Sequence, residues 1–245
     1  MKLFLSFLFI FFSSITQSDQ LVIGHRGAKG HIAENTLVSI KKAIELGADG
    51  IEIDVFLCKS GEIVVFHDKK LDYLTNGKGL IESKTLSELK KLRVLGTNEQ
   101  IPTLNEVFDI IDKNTFLNIE LKGSNTAKSS LDIVKEQLNN NKVSYNNILF
   151  SSFNWEELQD LRDLDSKIKI ALVTGKDPLM AIGPALKLGA IAINPTYKKL
   201  NKKVIEEIFK AGLKVYTWTV NDKEDIKRMK KLGVNGIITD FPERI

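Results

Sequence analysis

Apolar residues in this chain alternate between short continuous runs and longer stretches with helical spacing. The continuous runs hold mainly Val, Ile and Leu, which is typical of strands that are covered on both faces. The longer stretches repeat apolar residues every three or four positions, as at Leu37, Ile40 and Ile44. The runs predict eight strands, at 21–24, 50–55, 116–121, 147–152, 168–173, 190–194, 213–220 and 234–239.

The helical stretches lie between these runs, and a glycine commonly separates helix from strand. They are predicted at 36–46, 130–138, 155–164, 179–188, 203–211 and 223–232. The separating glycines, typical of helix C-caps, are Gly47, Gly189, Gly212 and Gly233. Eight strands separated by helices predict an α/β fold, a closed (β/α)8 TIM barrel. An open doubly wound sheet is the alternative, but no glycine-rich phosphate loop follows the first run.

Residues 69–101 interrupt the alternation. They contain the turn-rich stretch 71–79 and a short helical stretch at 86–92. We interpret the segment as a small insertion after the second strand, lying over the barrel mouth, because long inserts of this kind are often functional. Six residues follow Thr239, too few for an eighth helix of ordinary length.

The first residues resemble an export signal. Lys2 precedes the apolar stretch 3–12, and Ser13 and Ser14 follow it, which is the layout of a secretory signal peptide. The stretch is shorter than the roughly 20 residues that span a bilayer. We therefore predict a signal peptide at 1–18, a barrel domain at 19–245 and a periplasmic or secreted location. An uncleaved anchor, with loose membrane association, is the alternative.

Composition narrows the function classes only slightly. The chain has 245 residues, 43% of them hydrophobic, which is sufficient for a single globular core. The net charge of +4 is spread over short lysine clusters, so nucleic acid is not an expected partner. The single cysteine, Cys58, cannot form an intramolecular disulfide and is expected to be a buried, inert thiol. Nothing in the composition predicts an oligomeric state.

Two of the three histidines follow apolar runs. His25 comes after the first predicted strand, and His67 comes after the run 63–66. Barrel enzymes carry their chemistry at strand ends, and two imidazoles can serve as proton donor and acceptor. We therefore expect both side chains at one mouth. His31 lies in the loop before the first helix and is expected to be an ordinary surface residue.

Acidic side chains interrupt two of the apolar runs. Glu52 and Asp54 are two positions apart, so they point to the same face of a strand, and Glu120 lies near the end of the next barrel strand. Three carboxylates suit Mg²⁺ or Ca²⁺, and no Cys/His cluster has zinc spacing. The alternative is that these three residues are ordinary surface acids at strand ends. This alternative is weak, because acidic residues are depleted in strands.

Basic and aromatic side chains accompany these groups. Arg26 can bind a phosphate oxygen bidentately, and Lys122 can do so as a point charge, although a solvated loop lysine is the commoner situation. Trp218 and Phe153 either stack on a substrate or fill the barrel. The whole set indicates metal-assisted hydrolysis of a phosphorylated substrate.

A series of motifs between residues 21 and 242 resembles the glycerophosphodiester phosphodiesterase family. The motifs are Gly-His-Arg-Gly at 24–27, Glu-Asn-Thr at 34–36, Glu-Ile-Asp-Val at 52–55, Val-Phe-His-Asp at 65–68, Asn-Ile-Glu-Leu-Lys at 118–122, Tyr-Thr-Trp-Thr-Val-Asn at 216–221 and Gly-Ile-Ile-Thr-Asp-Phe-Pro at 236–242. The resemblance implies a (β/α)8 barrel and divalent-metal-dependent hydrolysis of glycerophosphodiesters to glycerol 3-phosphate and an alcohol. It implies metal ligands at Glu52, Asp54 and Glu120, catalytic histidines at 25 and 67, and phosphate contacts at Arg26 and Lys122.

Three other functions are weighed against this one. The nearest is a phospholipase D-like or lyase activity on lysophospholipids at the same site. A Schiff-base aldolase would use Lys122, but it would need neither the acids nor the histidines. A binding protein without catalysis is disfavoured because His25 and His67 are both present.

The leader generates the first prediction. Because the first strand begins near Leu21, we expect the exported protein to start between Ser14 and Leu21. N-terminal sequencing of the mature protein measures this directly. Intact Met1 on protein recovered from the cytoplasm would contradict it.

Overall fold

The structure, a computed structural model, describes residues 20–245 and shows a closed barrel. The predicted signal peptide therefore lies outside the described residues. The eight barrel strands are parallel. They are β1 (Leu21–His25), β2 (Gly50–Leu57), β4 (Phe116–Leu121), β5 (Ile148–Ser152), β6 (Lys169–Thr174), β7 (Ala192–Pro195), β8 (Lys214–Thr217) and β9 (Gly236–Thr239), and the short strand β3 (Ile63–Val65) lies outside the barrel. Strand β1 pairs with both β2 and β9 and so closes the ring. The predicted TIM barrel is confirmed.

Helices surround the strands and enclose a large apolar layer. They are α1 (Leu37–Glu45), α2 (Leu86–Leu89), α3 (Leu104–Phe108), α4 (Thr126–Asn139), α5 (Trp155–Leu164), α6 (Ile182–Leu188), α7 (Lys202–Lys210) and α8 (Lys223–Leu232). One core lies between strands and helices, and a smaller one fills the barrel with residues such as Ile23, Leu149 and Tyr216. Successive strand residues point alternately to these two cores, so a polar side chain that points into the barrel stands out from its apolar neighbours.

Several element boundaries differ from the prediction. The helix predicted at 130–138 begins at Thr126, because the Glu157 carboxylate of α5 accepts the backbone N–H groups of Thr126 and Ala127, both at 2.9 Å. The predicted strand 213–220 ends at Thr217, and the helix predicted at 179–188 begins as a 3₁₀ turn before α6. A cap supplied by another helix leaves no local signal in the sequence.

The apolar run before His67 forms a strand that does not belong to the barrel. This strand, β3 (Ile63–Val65), pairs antiparallel with the end of β2, with Val65 opposite Val55. The chain thus turns back, and the Phe66 N–H donates to the Asp54 carbonyl at 2.9 Å. His67 thus follows a strand-like run, as predicted, but this strand lies outside the barrel, and the hairpin returns the chain to the level of Asp54.

The segment 69–101 packs mainly against this hairpin. Two 3₁₀ turns, Leu71–Tyr73 and Ile81–Ser83, precede α2, which is shorter than the predicted stretch 86–92. Its side chains share an apolar cluster with the outer residues of β2 and β3, composed of Phe56, Cys58, Val64, Phe66, Leu71, Ile81, Leu89, Val94 and Ile101. This separate cluster anchors the strand pair that carries His67 to the mouth.

The end of the described chain is short. After β9 it forms a 3₁₀ turn, Pro242–Arg244. Within residues 20–245 we find no helix that is long and apolar enough to cross a membrane.

Candidate active site

A strained turn follows β1 at the carboxyl-terminal mouth. Arg26 and Gly27 both have left-handed backbone angles, with φ of 54° and 84°. A side chain at Gly27 would place its Cβ 2.5 Å from Ser39, so only glycine fits. The turn directs the Arg26 backbone N–H to Glu52 Oε2 at 3.1 Å. A non-glycine residue in this conformation indicates that the surrounding site enforces it.

Three carboxylates meet beside this turn, as the strand register requires. Asp54 on β2 lies opposite Glu120 on β4, and Glu52 points the same way one rung deeper. One ligand oxygen from each lies within 4.8 Å of the others. Burial, reinforced by the neighbouring acids, raises the pKa of Glu52 well above its usual value. Burial and the charge of Asp54 raise the pKa of Glu120 to about 7.

These residues fit a hard divalent cation. Carboxylate oxygens are the ligands that Mg²⁺ and Ca²⁺ prefer, and clustered buried acids need positive charge near them. The raised pKa values of Glu52 and Glu120 agree with this requirement, because proton binding is the other way to neutralise the cluster. The Glu52, Asp54 and Glu120 set therefore could hold the ion.

The two predicted phosphate contacts lie next to these acids. The Arg26 guanidinium donates to Glu34 Oε1 at 2.6 Å and lies 3.2 Å from Asp54 Oδ2. Lys122 Nζ lies 3.0 Å from Glu120 Oε1. Although burial opposes it, the charge of Glu120 raises the pKa of Lys122. A protonated ammonium cannot attack a carbonyl, so this environment disfavours the Schiff-base alternative.

Each histidine is held by a carboxylate at the same ring nitrogen. His25 Nδ1 lies 2.7 Å from Asp240 Oδ1, and His67 Nδ1 lies 2.6 Å from Asp68 Oδ1. Burial lowers the pKa of His25, although Asp240 opposes this effect, and burial also lowers the pKa of His67. Both rings line the same pocket as the acid cluster. The expectation that they share a mouth is met.

The amide partners of this site were not recognised from the sequence. Asn221 donates to Asp240 Oδ2 at 2.6 Å and also accepts the Asp240 backbone N–H. Asn35, which precedes α1, donates to Asp54 Oδ2 at 2.9 Å and does not cap that helix. The cap is Thr36, which accepts the Ser39 N–H. In the sequence, the only sign of Asn35 and Asn221 was that each lies in one of the motifs that resemble the family.

Phe153 and Trp218 form one wall of the pocket. Their rings meet edge to face with centroids 5.5 Å apart, and the Trp218 indole N–H donates to the Asn194 carbonyl at 2.8 Å. Phe153 is 50% exposed, so it does not serve as barrel filling. Lys122 Nζ lies 5.6 Å from the Phe153 ring centroid. This wall therefore faces the space beside the basic and acidic groups.

Two other sequence predictions concern residues outside the pocket. His31 is exposed, and its Nε2 lies 3.1 Å from Glu243 at the surface. Cys58 is buried and free, as predicted.

The pocket combines carboxylates that could hold a divalent cation with basic side chains beside them. This combination suits a phosphate ester, so the fold and the site together define a barrel phosphoesterase. The model of the glycerophosphoryl diester phosphodiesterase family matches residues 25–244. The chain therefore belongs to this family and is a phosphoric diester hydrolase.

Three similar proteins illustrate the relationship. A glycerophosphodiester phosphodiesterase of Caldanaerobacter subterraneus is 40% identical, over 92% of this chain and 96% of its own. Human lysophospholipase D is 26% identical, over 91% of this chain and 84% of its own. The structure of an Oleispira antarctica phosphodiesterase, in complex with its product sn-glycerol-3-phosphate, has a TM-score of 0.85 and 30% identity, covering 92% and 94% of the two chains.

The acid cluster generates a binding prediction. Because a ligand that binds the folded state stabilises it, Mg²⁺ or Ca²⁺ at about 100 times its Kd should stabilise the protein by about 2.7 kcal/mol, which appears as a higher Tm. We expect Glu52→Gln to reduce the shift strongly, because it removes one ligand charge.

The matched control is Glu207→Gln on the exposed face of α7, which should keep the full shift. Differential scanning calorimetry with and without cation measures all three proteins. Equal shifts in wild type and Glu52→Gln would place the ion elsewhere.

Proposed function

We propose that this enzyme hydrolyses glycerophosphodiesters to glycerol 3-phosphate and an alcohol, using Mg²⁺ or Ca²⁺ at Glu52, Asp54 and Glu120. The observation that carries the proposal is the placement of two carboxylate-held histidines beside that acid cluster in one pocket. The similar Oleispira protein, which was solved with sn-glycerol-3-phosphate as its product, supports the substrate class. A bound cation would withdraw charge from the phosphate and stabilise the charge that develops on its oxygens.

The basic side chains would orient the phosphate. The Arg26 and Lys122 side chains are largely buried, and each is already held in place by a carboxylate, so little side-chain freedom is lost when a phosphate binds. Both line the pocket. Their fixed positions favour one orientation of the diester in front of the histidines.

The family resemblance favours His25 as the general acid and His67 as the general base, and the contact between Lys122 and His67 supports this division. Lys122 Nζ lies 3.3 Å from His67 Nε2, and an ammonium group can only donate hydrogen bonds. Nε2 is then the proton-free nitrogen, while Nδ1–H donates to Asp68. This proton-free Nε2 would accept a proton from the attacking hydroxyl in place of its hydrogen bond from Lys122.

His25 then takes the role of general acid. Asp240 holds its Nδ1 and stabilises the protonated ring, and Asn221 in turn fixes Asp240. This arrangement suits a group that gives its proton to the leaving alkoxide. The attacking hydroxyl belongs either to water or to the glycerol moiety of the substrate.

The proposed location is outside the cytoplasm. It rests on the leader, where Lys2 and the apolar stretch 3–12 resemble a signal peptide.

A second candidate substrate class is lysophospholipids, favoured by a groove beside the pocket. The groove has a volume of about 450 Å³ and shares Phe153 and Val173 with the active-site pocket. Trp155 and the 73% exposed Met180 extend its apolar lining. Apolar side chains of this kind suit an acyl chain, and the human relative is named a lysophospholipase D.

The deciding experiment is an assay of product release from a panel of diesters. We expect release of glycerol 3-phosphate from glycerophosphocholine and related diesters, loss of turnover in excess chelator, and recovery with Mg²⁺ or Ca²⁺. Lysophosphatidic acid released from lysophosphatidylcholine would identify the second substrate class. Full turnover by metal-free protein would refute the cation's role.

The histidine pair generates a kinetic prediction. Because general acid–base catalysis contributes typically 10²–10⁴-fold in rate, His25→Ala and His67→Ala should each lower kcat at least about 10²-fold. Cation binding, followed by the Tm shift, should stay near wild type. His31→Ala is the control and should be nearly silent, since His31 lies at the surface away from the pocket.

A diester with an acidic leaving alcohol separates the two roles. Such an alcohol departs without a proton, so it should partly rescue His25→Ala and leave His67→Ala slow. Rescue of the opposite variant would exchange the roles, and near-normal turnover by both variants would rule out the mechanism.

A further inference from the structure

The active-site pocket has two unlike halves. The charged half comes from the β1, β2 and β4 side and includes the histidines, the acids and the basic side chains. The other half comes from the ends of β5 to β9. Its lining side chains are Phe153, Val173, Asn194, Trp218 and Ile238. Asn194 is thus the single polar side chain among the described residues that line this half.

The Asn194 side chain is buried and lacks a hydrogen-bond partner at its oxygen. On β7, Ala192 belongs to the barrel interior and Ile193 to the outer core, so Asn194 points inward. The residue is 1% exposed, and its Oδ1 has no partner among the described residues. A buried unpaired amide oxygen is unfavourable, so its partner has to come from what fills the pocket, either a ligand or a water molecule.

Two similar side chains in the barrel have different surroundings. Asn118 also has an unpaired Oδ1, but it lies opposite Glu52 on the charged half, where the cation and its water belong. Ser151 has an unpaired, buried Oγ but does not line the pocket. Asn194 differs from both because it reaches the pocket where its neighbours are apolar.

We propose that Asn194 hydrogen-bonds a hydroxyl of the substrate's glycerol moiety and so determines specificity for that moiety. The inference rests on the proposed function, which places the phosphate in the charged half. The carbon chain attached to the phosphate then occupies the half that holds Asn194. A hydroxyl both donates and accepts hydrogen bonds, as an amide does, and the apolar neighbours can pack against the C–H groups of glycerol.

The position of Asn194 is fixed by its surroundings. Its backbone carbonyl accepts the Trp218 indole N–H at 2.8 Å, and the Trp218 ring packs on Phe153. The amide is therefore presented from a rigid strand end beside an aromatic wall. A preorganised, buried polar group discriminates strongly between a ligand that has a hydroxyl and one that lacks it.

The test compares two ligands that differ only in hydroxyl groups. Isothermal titration calorimetry in the presence of Mg²⁺ measures the Kd of glycerol 3-phosphate and of n-propyl phosphate. We expect the wild type to prefer glycerol 3-phosphate by about tenfold or more, because an unmet buried partner penalises the propyl ligand. In Asn194→Leu this preference should fall to about twofold or less, chiefly through weaker binding of glycerol 3-phosphate.

Two further variants make the result specific. Ser151→Ala removes a buried, unpaired hydroxyl that does not line the pocket and should keep the wild-type ratio. Asn194→Ala provides the same comparison should the leucine variant fail to fold, with circular dichroism as the check.

The outcomes separate this inference from the proposed function. The role of Asn194 would be overturned if the wild type showed no preference for glycerol 3-phosphate over n-propyl phosphate. It would also be overturned if an Asn194 variant kept that preference, or if the variant lost affinity for both ligands equally. A wild type that neither binds glycerol 3-phosphate nor releases it from diesters would overturn the proposed function and this inference with it.

Discussion

The close approach of two buried carboxylates and a third, half-buried one at the barrel mouth is the constraint on which the rest of the site depends. Glu52, Asp54 and Glu120 lie close enough together to raise carboxyl pKa values, so the fold has to supply compensating charge and hydrogen bonds. Asn35 and Arg26, both from the loop after β1, meet Asp54, while Lys122 meets Glu120. The strained backbone at Arg26 is stable because these contacts hold the loop on both sides.

The barrel and the hairpin contribute differently to the chemistry. Barrel strands bring His25 and the acids to one mouth through parallel register, which is rigid because both faces are buried. His67 arrives instead on an antiparallel strand that is supported by the apolar cluster of the 69–101 segment. A site built from the ends of barrel strands and from this antiparallel strand can surround a phosphate on more sides than barrel strand ends alone. The segment therefore helps to hold His67 at the pocket, where its proposed role is in proton transfer.

The division of the pocket follows from the same ring of strands. Strands β1, β2 and β4 carry the charged side chains, and the strands across the ring carry aromatic and aliphatic ones with Asn194 among them. A phosphodiester has a matching division, with one charged centre and less polar substituents. The groove beside Phe153 continues the apolar side outward, and the proposed substrate specificity would depend on this side.

The sequence by itself determined the strand–helix alternation, the common face of Glu52 and Asp54, and the position of His25, because these depend on local periodicity. Only the tertiary structure decided which distant groups meet. Asp240 reaches His25 across 215 positions because β1 pairs with β9 when the barrel closes, and Glu157 caps α4 from a neighbouring helix. The reversed direction of β3 likewise depends on pairing with β2, since an apolar run encodes burial but not the direction of its partner.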